Sequence, residues 1–298
     1  MDRPHRDTIF LEDARVLGLE AFPAHQYQLR LEAPRCAARA TPGTFIHLQC
    51  ATGIAMRRPL SIQRADPAAG WIEILFKVIG TGLRNLTQVL PGQTLSLLGP
   101  IGQGFRPDPS RPLALLVGGG VGMPPLEFLA ERLRADGRQA WRPLAFFGSE
   151  APFPFKAAHA DTPLHGLDHR INACHPVLER LGVPSRLASL ADFDGCYRGY
   201  VTDLAGEWLA AQHAETRERV ALYACGPQPM LQAAARLARD FDLPAQLCLE
   251  EYMACAVGGC AGCAVEVATS SGSTMRRVCV DGPVFEARSI YPALFAAG

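Results

Sequence analysis

Four cysteines near the C-terminus constrain this chain more than any other feature. Cys255, Cys260 and Cys263 are spaced C-x4-C-x2-C, and Cys279 follows after fifteen further residues. This spacing suits a [2Fe-2S] cluster of the plant type, because two irons need two outside sulfurs each and one tight loop can deliver three of the four. Gly258, Gly259 and Gly262, with Ala256 and Ala261 among them, keep the loop small. Such residues accept unusual dihedrals and let backbone N–H groups approach the bridging sulfides. Zinc also takes four cysteines, but structural zinc sites present two C-x2-4-C knuckles, and Cys279 stands alone. A disulfide framework belongs to small secreted chains. This chain has 298 residues, and its start, Met1 to Asp7, leads into no apolar signal segment, so a reducing, cytoplasmic compartment is expected.

Composition narrows the class. With 48% hydrophobic and 19% charged residues, the chain is long and apolar enough for two domains and a small third. No apolar run approaches the roughly 20 residues of a membrane span. The 29 basic and 29 acidic residues cancel, so no long-range field favours nucleic acid or an anionic membrane. Function is expected to reside in sites. Of the six cysteines outside the motif, Cys36, Cys50, Cys174, Cys196, Cys225 and Cys248, most are expected to pack as small hydrophobes.

Up to about Phe105 the chain alternates apolar and polar residues in short runs between Pro and Gly, as at 27–31, 44–48 and 71–78. That pattern predicts antiparallel strands closing into a barrel. Two stretches break it. In one, Arg58 precedes Ser61 by three residues on an extended strand, so the guanidinium can clamp a phosphate while the hydroxyl points at a ring. In the other, Gly80, Thr81 and Gly82 open onto a short helix through Leu86, and their N–H groups can receive a pyrophosphate.

From residue 107 the pattern changes. Residues 113–117 are continuously apolar, as suits a strand buried on both faces of a parallel sheet. Gly118, Gly119, Gly120 and Gly122 follow, and a helix with Leu126, Leu129, Ala130 and Leu133 on one face begins at Met123. Strand, glycine turn and helix start together predict a dinucleotide cradle, although Met123 occupies the third glycine position of the strict fingerprint. Further apolar strands at 144–147 and 220–224 end in Ser149-Glu150 and in Cys225, Gly226, Pro227. An acidic residue after the second strand favours a free ribose hydroxyl, hence NAD over NADP. His159, His165, His169 and His175 have no metal spacing, and the stretch 151–190 reads as a surface insertion.

The order of these motifs resembles the ferredoxin-reductase superfamily. That resemblance implies that Arg58, Pro59, Leu60 and Ser61 form the FAD-binding strand, with Ser61 near the flavin N5 and Gly80, Thr81 and Gly82 over the phosphates. It also implies that Cys225, Gly226, Pro227 and Met230 close the nicotinamide pocket, with Cys225 facing hydride transfer, and that Gly99 to Phe105 form the barrel's exit. Residues 249–255 and 277–285 around the cysteines, and 195–203, are similar to the electron-transfer subunits of NAD-dependent dihydroorotate dehydrogenase. The expected architecture is therefore multidomain β plus α/β: an antiparallel flavin-binding β-barrel over 1–106, a nicotinamide-binding parallel α/β domain over 107–244, and a small C-terminal [2Fe-2S] domain over 245–298. By the same resemblance the protein is an oxidoreductase of pyrimidine biosynthesis. It would pass electrons from an FMN-containing catalytic subunit through the cluster and FAD to NAD, as a hetero-oligomer. Glu251, Tyr252 and Met253 are the expected docking face. A general NAD(P)H-dependent iron-sulfur flavoprotein reductase serving another oxidoreductase, and a non-catalytic redox sensor, are the alternatives. The chain departs from the family in the length of 151–190, in Tyr252 where a basic residue is common, and in Phe193, which interrupts an acidic pair.

Overall fold

The computed structural model describes residues 8–51 and 53–296. Residues 1–7, Thr52 and the last two residues lie outside the described residues, and with them the reading of the N-terminus and the outer limits of the first and third expected domains.

Alternation builds six strands, β1 (Phe10–Phe22), β2 (Gln26–Glu32), β3 (Phe45–Leu48), β4 (Arg58–Asp66), β5 (Trp71–Lys77) and β6 (Thr94–Ile101), with α1 (Pro34–Arg39) and α2 (Gly80–Leu86) in the connections. They close into a barrel in the order β1-β2-β5-β4-β3-β6. Leu29, Ile46, Leu48, Leu60, Ile62 and Ile74 belong to its interior cluster. Because successive side chains of a strand point to opposite faces, Phe45 and His47 on β3 and Pro59, Ser61 and Gln63 around β4 share the outer face. Phe45 lies opposite Ser61 in the register, and His47 opposite Pro59.

The second unit starts with β7 (Leu113–Gly119), a 3-10 turn over Gly120–Gly122 and α3 (Met123–Ala135). It continues through β8 (Leu144–Gly148), β9 (Ala158–His159), β10 (Ala173–Cys174), α4 (Pro176–Arg180), β11 (Ser185–Ser189) and β12 (Tyr197–Arg198). Then come α5 (Val201–Ala210), α6 (Ala214–Arg217), β13 (Val220–Cys225), α7 (Gln228–Asp240) and β14 (Ala245–Cys248). The sheet order is β12-β11-β8-β7-β13-β14, with β17 (Val284–Glu286) added antiparallel at the end. From β7 the chain goes outward through β8 and β11, then returns to β13 on the other side of β7. The strand order thus reverses between β7 and β13, and in open α/β sheets the ligand crevice lies at such a switch point, beyond the C-terminal strand ends. The third unit comprises the cysteine loop and the hairpin β15 (Ala264–Thr269) with β16 (Gly272–Arg277); α8 (Ala287–Ile290) and α9 (Pro292–Phe295) follow β17.

Two expectations need correction. Residues 151–190 are a surface segment only in part: none of 155–172 is buried, whereas β11 lies inside the seven-stranded sheet and Phe153, Ala173, Leu178 and Val183 are core residues. Their Pro and His content disguised the buried part after 172, where polar residues such as Ser185, Arg186 and Ser189 share the buried strand and leave no apolar period. The boundary at 245 also cuts the sheet, since β14 pairs with β13 and then receives β17. A four-residue strand directly before the cysteine loop has too little pattern to be assigned to the sheet that it completes. Among the described residues, no helix is long and apolar enough to cross a membrane.

Helix α3 is the main contact between the two larger units. Phe128 on α3 joins the barrel's apolar cluster. Beside it Gln28 donates to Gln63 Oε1 at 3.0 Å, and Gln63 Nε2 donates to Glu127 Oε2 at 2.8 Å. Arg64 Nε meets Glu131 Oε1 at 2.8 Å, one turn further along, with both side chains partly exposed. A pair of that kind contributes about 0–1 kcal/mol. Removing the donor from the buried Glu127 would cost about 1–3 kcal/mol, so the buried contact is the stronger tie.

Glycine is required at the switch point. A Cβ on Gly122 would overlap the carbonyl of Cys225, where the turns after β7 and β13 meet backbone to backbone. Gly122→Ala is therefore expected to lose about 1–3 kcal/mol in equilibrium denaturation, as overpacking does. Gly137→Ala, where a Cβ meets open space, is expected to stay within about 0.5 kcal/mol of the parent. Equal losses at both positions would show that close approach is not the cause.

Candidate functional site

The four motif cysteines fall into two pairs. Cys260 N–H donates to Cys255 Sγ at 3.4 Å, and Cys263 Sγ lies 3.3 Å from Cys279 Sγ. Among the described residues no three His, Cys, Asp or Glu side chains gather round a single point. Two sulfurs on one tetrahedral metal at about 2.3 Å each sit about 3.7 Å apart, close to the separation in the buried pair. A donor set of two pairs suits two irons better than one zinc. The first pair is at the surface, with Cys260 exposed and Cys255 half-buried, whereas Cys263 and Cys279 are buried. Backbone N–H groups of Val257, and then of Cys260 and Gly259, face the Cys255 sulfur and bring its pKa down to about 7 despite the opposing effect of burial. Burial, followed by the neighbouring Cys263 thiol, pushes Cys279 up. The loop thus supplies N–H donors to sulfur, as a thiolate-held cluster requires. Its left-handed residues are Ala256, Gly258 and Ala261, while Gly259 and Gly262 have ordinary φ. Two of the unusual dihedrals therefore fall on alanines, at a cost of roughly 1–2 kcal/mol each, and the glycine count alone did not locate them.

On the barrel, Arg58 Nη1 donates to the carbonyls of Met56 and Arg57 at 2.9 and 3.1 Å. Those two bonds aim the rest of the guanidinium at Gly82, where a Cβ would lie 3.1 Å from Nε. Strand β4 and the glycine turn, separated by about twenty residues, thus make one cationic cradle in which Gly80 and Thr81 are exposed. The neighbouring Arg57 does something else: it donates to the carbonyl and hydroxyl of Ser96 and ties the barrel strands together. Along β4, Pro59 and Ser61 face outward beside this cradle, half-buried, whereas Leu60 belongs to the barrel interior. Only the backbone of Leu60 can meet a ligand there. A phosphate-bearing ring compound such as FAD fits this donor set: a guanidinium and free N–H groups for the pyrophosphate, a hydroxyl for the ring.

At the switch point the two glycine-bearing turns interlock. A Cβ on Gly119 would meet Met230 Sδ at 2.6 Å and Pro227 Cδ at 3.4 Å, and one on Gly118 would meet Phe147 at 2.9 Å. With Gly122 against Cys225 and Gly226, three of the four glycines answer to packing. Gly120 is different, with φ +55° and open space where its Cβ would be. It is the position at which backbone can approach a dinucleotide. Met230, in the first turn of α7, also touches Gly226. Glu150 is exposed at the end of β8, and Ser149 is fixed by its backbone bond to Ala188. These features fit a dinucleotide with free ribose hydroxyls.

Cys225 is wholly buried, at 0% exposure, opposite Cys248 in the parallel register. The Cys248 thiol beside it, and then burial, hold its own thiol well above the ordinary cysteine range. Its thiol lies buried behind the switch point, with its backbone carbonyl against Gly122, and is not open to the crevice.

Sequence reasoning missed several residues here. Phe45, opposite Ser61, packs in one apolar cluster with Ile101, Ala256, Cys263 and Cys279. The buried cysteine pair therefore sits against the strand that neighbours Ser61. Strand alternation could have placed Phe45 on that face; nothing local could have paired it with cysteines over two hundred residues away. His47 lies beneath Arg57, and burial, followed by the Arg57 charge, lowers its pKa to about 4, so the ring is neutral at physiological pH. The barrel exit also touches the third unit: Gln103 donates to Gly282 O at 2.5 Å, and a Cβ on Gly102 would meet Pro283 at 2.5 Å.

Residues 250–291 match the family model described as the iron-sulfur cluster binding domain of dihydroorotate dehydrogenase B. Over its length the chain is similar to proteins named dihydroorotate dehydrogenase B (NAD(+)), electron transfer subunit. The one from Desulforamulus reducens is 30% identical, covering 92% of this chain and 95% of that protein. The one from Geobacillus thermodenitrificans is 34% identical over 94% and 98%. Among solved structures, an NADH-dependent reduced ferredoxin-NADP oxidoreductase superposes with a TM-score of 0.74 at 21% identity, over 94% of this chain and 90% of that one. The ferredoxin reductase of carbazole 1,9a-dioxygenase gives 0.59 at 20% identity, over 79% and 67%. The fold is that of the ferredoxin reductases, and the chain belongs to the family of dihydroorotate dehydrogenase B electron transfer subunits.

Proposed function

We propose that this chain relays electrons between NAD and the FMN-bearing catalytic subunit of a dihydroorotate dehydrogenase, with FAD and a [2Fe-2S] cluster as its resident groups. One observation carries the reading: the buried pair Cys263 and Cys279 shares an apolar cluster with Phe45, which lies opposite Ser61 on the strand of the phosphate cradle. Bound FAD exchanges a hydride with nicotinamide and single electrons with an iron-sulfur centre, which cannot itself accept hydride.

In this reading Arg58 and the N–H groups of Gly80, Thr81 and Gly82 hold the FAD pyrophosphate. Pro59 and Leu60 set the path of the strand, and Ser61 presents its hydroxyl to the ring. Gly120 receives the NAD pyrophosphate, while Gly118, Gly119 and Gly122 allow the packing that shapes the crevice. Gly226, Pro227 and Met230 wall the crevice, and Cys225 lies buried behind them. Glu150 accepts from the ribose hydroxyls. Cys255 and Cys260 hold the outer iron, and Cys263 and Cys279 the inner one. The functional division is a flavin unit over 1–106, an NAD unit over 107–244 completed by β14 and β17, and a cluster unit between those two strands. A cytoplasmic location follows from the need to keep four ligating thiolates reduced.

The docking face is the outer side of the cluster loop. Tyr252 is 95% exposed, and Val257 and Cys260 in the loop that follows it are exposed as well. A fully exposed tyrosine is the residue type that anchors interfaces. Mixing the chain with a dihydroorotate-oxidising subunit should give dihydroorotate-dependent NAD+ reduction that neither protein shows alone. Tyr252→Ala should lower this coupled turnover roughly tenfold or more, as loss of an interface anchor does, while NADH oxidation by an artificial dye stays unchanged; equal loss of both would remove Tyr252 from the interface.

The site assignments are separable by spectroscopy. Cys263→Ser should abolish the visible and electron-paramagnetic signals of the cluster with FAD content unchanged, and Cys196→Ser should leave both intact. A persisting cluster in Cys263→Ser would refute the ligand set. Arg58→Ala should weaken FAD retention about tenfold to a hundredfold, the loss of about 1.5–3 kcal/mol from a charge-assisted contact. Unchanged retention on gel filtration would remove Arg58 from the phosphate cradle.

A further inference from the structure

The dinucleotide turn and the flavin strand belong to different units, and a buried polar chain runs from β4 to α3; away from it, Gln26 Nε2 on β2 donates to Pro152 O at 2.8 Å, and the partly exposed Arg64 meets Glu131. Gln28 on β2 donates to Gln63 on β4, and Gln63 donates to Glu127 on α3 at 2.8 Å. From the other side His175 places Nε2 3.6 Å from Glu127 Oε1. His175 Nδ1 accepts the Leu178 N–H, so the ring proton of the neutral form sits on Nε2 and faces Glu127. Phe147 and Phe155 pack against the imidazole, which keeps it from turning away. Gln63, Glu127 and His175 are all more than nine-tenths buried, and Glu127 Oε1 makes no hydrogen bond among the described residues.

The position of this chain matters more than its composition. Gln63 stands two residues after Ser61 on the same outer face, about 7 Å along the strand. Glu127 stands five residues after Gly122, about 7.5 Å along the helix. Any shift of α3 over β4 would therefore change the approach of the nicotinamide half-site to the flavin half-site by a similar amount. Apolar packing through Phe128 holds the two units together but tolerates sliding, because dispersion has no direction. A hydrogen bond from Gln63 to one carboxyl oxygen, with His175 braced against the other, fixes both distance and rotation. Buried polar groups that are only partly satisfied are costly, which argues for a role beyond cohesion.

We infer that Gln63, Glu127 and His175 are positioning residues that set the separation of nicotinamide and flavin for hydride transfer. The inference rests on the reading of β4 as the flavin strand and of the β7 turn as the NAD site. It concerns geometry alone: neither Glu127 nor His175 exchanges a proton with a reacting group.

The experiment is anaerobic rapid mixing of the FAD- and cluster-loaded protein with NADH, following flavin bleaching as NADH concentration rises, and repeated with NADH deuterated at the transferred position. The parent protein tests the underlying reading first, since failure of NADH to bleach its flavin would sink the function rather than the positioning role. Given bleaching, Glu127→Ala should lower the limiting rate about tenfold to a hundredfold, the effect of a displacement near 1 Å, with the half-saturating NADH concentration little changed. The deuterium isotope effect should change with it. Gln63→Leu should behave likewise. Glu127→Gln keeps the acceptor for Gln63 but sets its amide against the His175 N–H, so its rate should fall between parent and Glu127→Ala. If Glu127→Ala does not fold, Gln63→Leu and Glu127→Gln decide the question. Limiting rate and isotope effect equal to those of the parent in folded variants, with only the melting temperature lowered, would overturn the inference and leave the network a structural tie.

Discussion

Strand β17 returns to the edge of the α/β sheet and pairs antiparallel with β14, Cys248 opposite Val284 and Leu247 opposite Phe285. The rest of the arrangement depends on that pairing. All four motif cysteines lie between these strands, so the third unit is an excursion from the sheet whose ends are held next to each other. Gly282 and Pro283, just before β17, press onto Gln103 and Gly102 at the barrel exit. Within a few residues the three units meet. A cluster loop tethered at one end only could sample many positions. Held at both ends and packed on Phe45, it has one.

Electron transfer over a fixed path makes demands unlike those of acid-base catalysis. It needs distances and orientations held constant, and few groups that titrate. The thiol buried behind the switch point, Cys225, is kept neutral by its neighbour and by burial. His47, near the flavin strand, is likewise kept neutral. A guanidinium is placed instead where anions are to be held, at Arg58 beside the glycine turn. The outer side of the cysteine loop, with Cys260, Tyr252 and Val257 exposed, is the part left open, as a station that must hand electrons to a second protein requires.

Much of this was legible in the residues. Periodicity and turn chemistry located β2, β3, β5, β7, β8 and β13, whereas β1 and β6 were not singled out. The cysteine spacing, the glycine run and the Arg58 to Ser61 strand pointed to their sites because each is a local constellation. The buried part of 151–190 was misread because its strand, β11, carries Ser185, Arg186 and Ser189 among its buried residues, and it follows prolines and histidines that usually mark loops. His175 illustrates the difficulty: from the sequence it is one of four irregular histidines, and in the fold it is buried against Glu127 between two phenylalanines. The edge of the α/β sheet was misplaced for a related reason. A short strand is defined by its partners, and β14 has one partner twenty residues before it and another forty after.

By itself, then, the sequence determined the local constellations on which the proposed chemistry rests: four cysteines at the plant-type spacing, an Arg58 to Ser61 strand and glycine turns, and an order of motifs shared with one family. These are local matters, since each depends on residue types at short spacing. The tertiary structure alone decided how the parts address one another. It divided the cysteines into an outer and an inner pair, set the inner pair against Phe45 and so beside Ser61, reserved three of four glycines for packing, and joined β4 to α3 through Gln63 and Glu127. Those facts depend on contacts between residues tens to hundreds of positions apart, and such contacts are fixed by the packing of whole units rather than by any pattern within one.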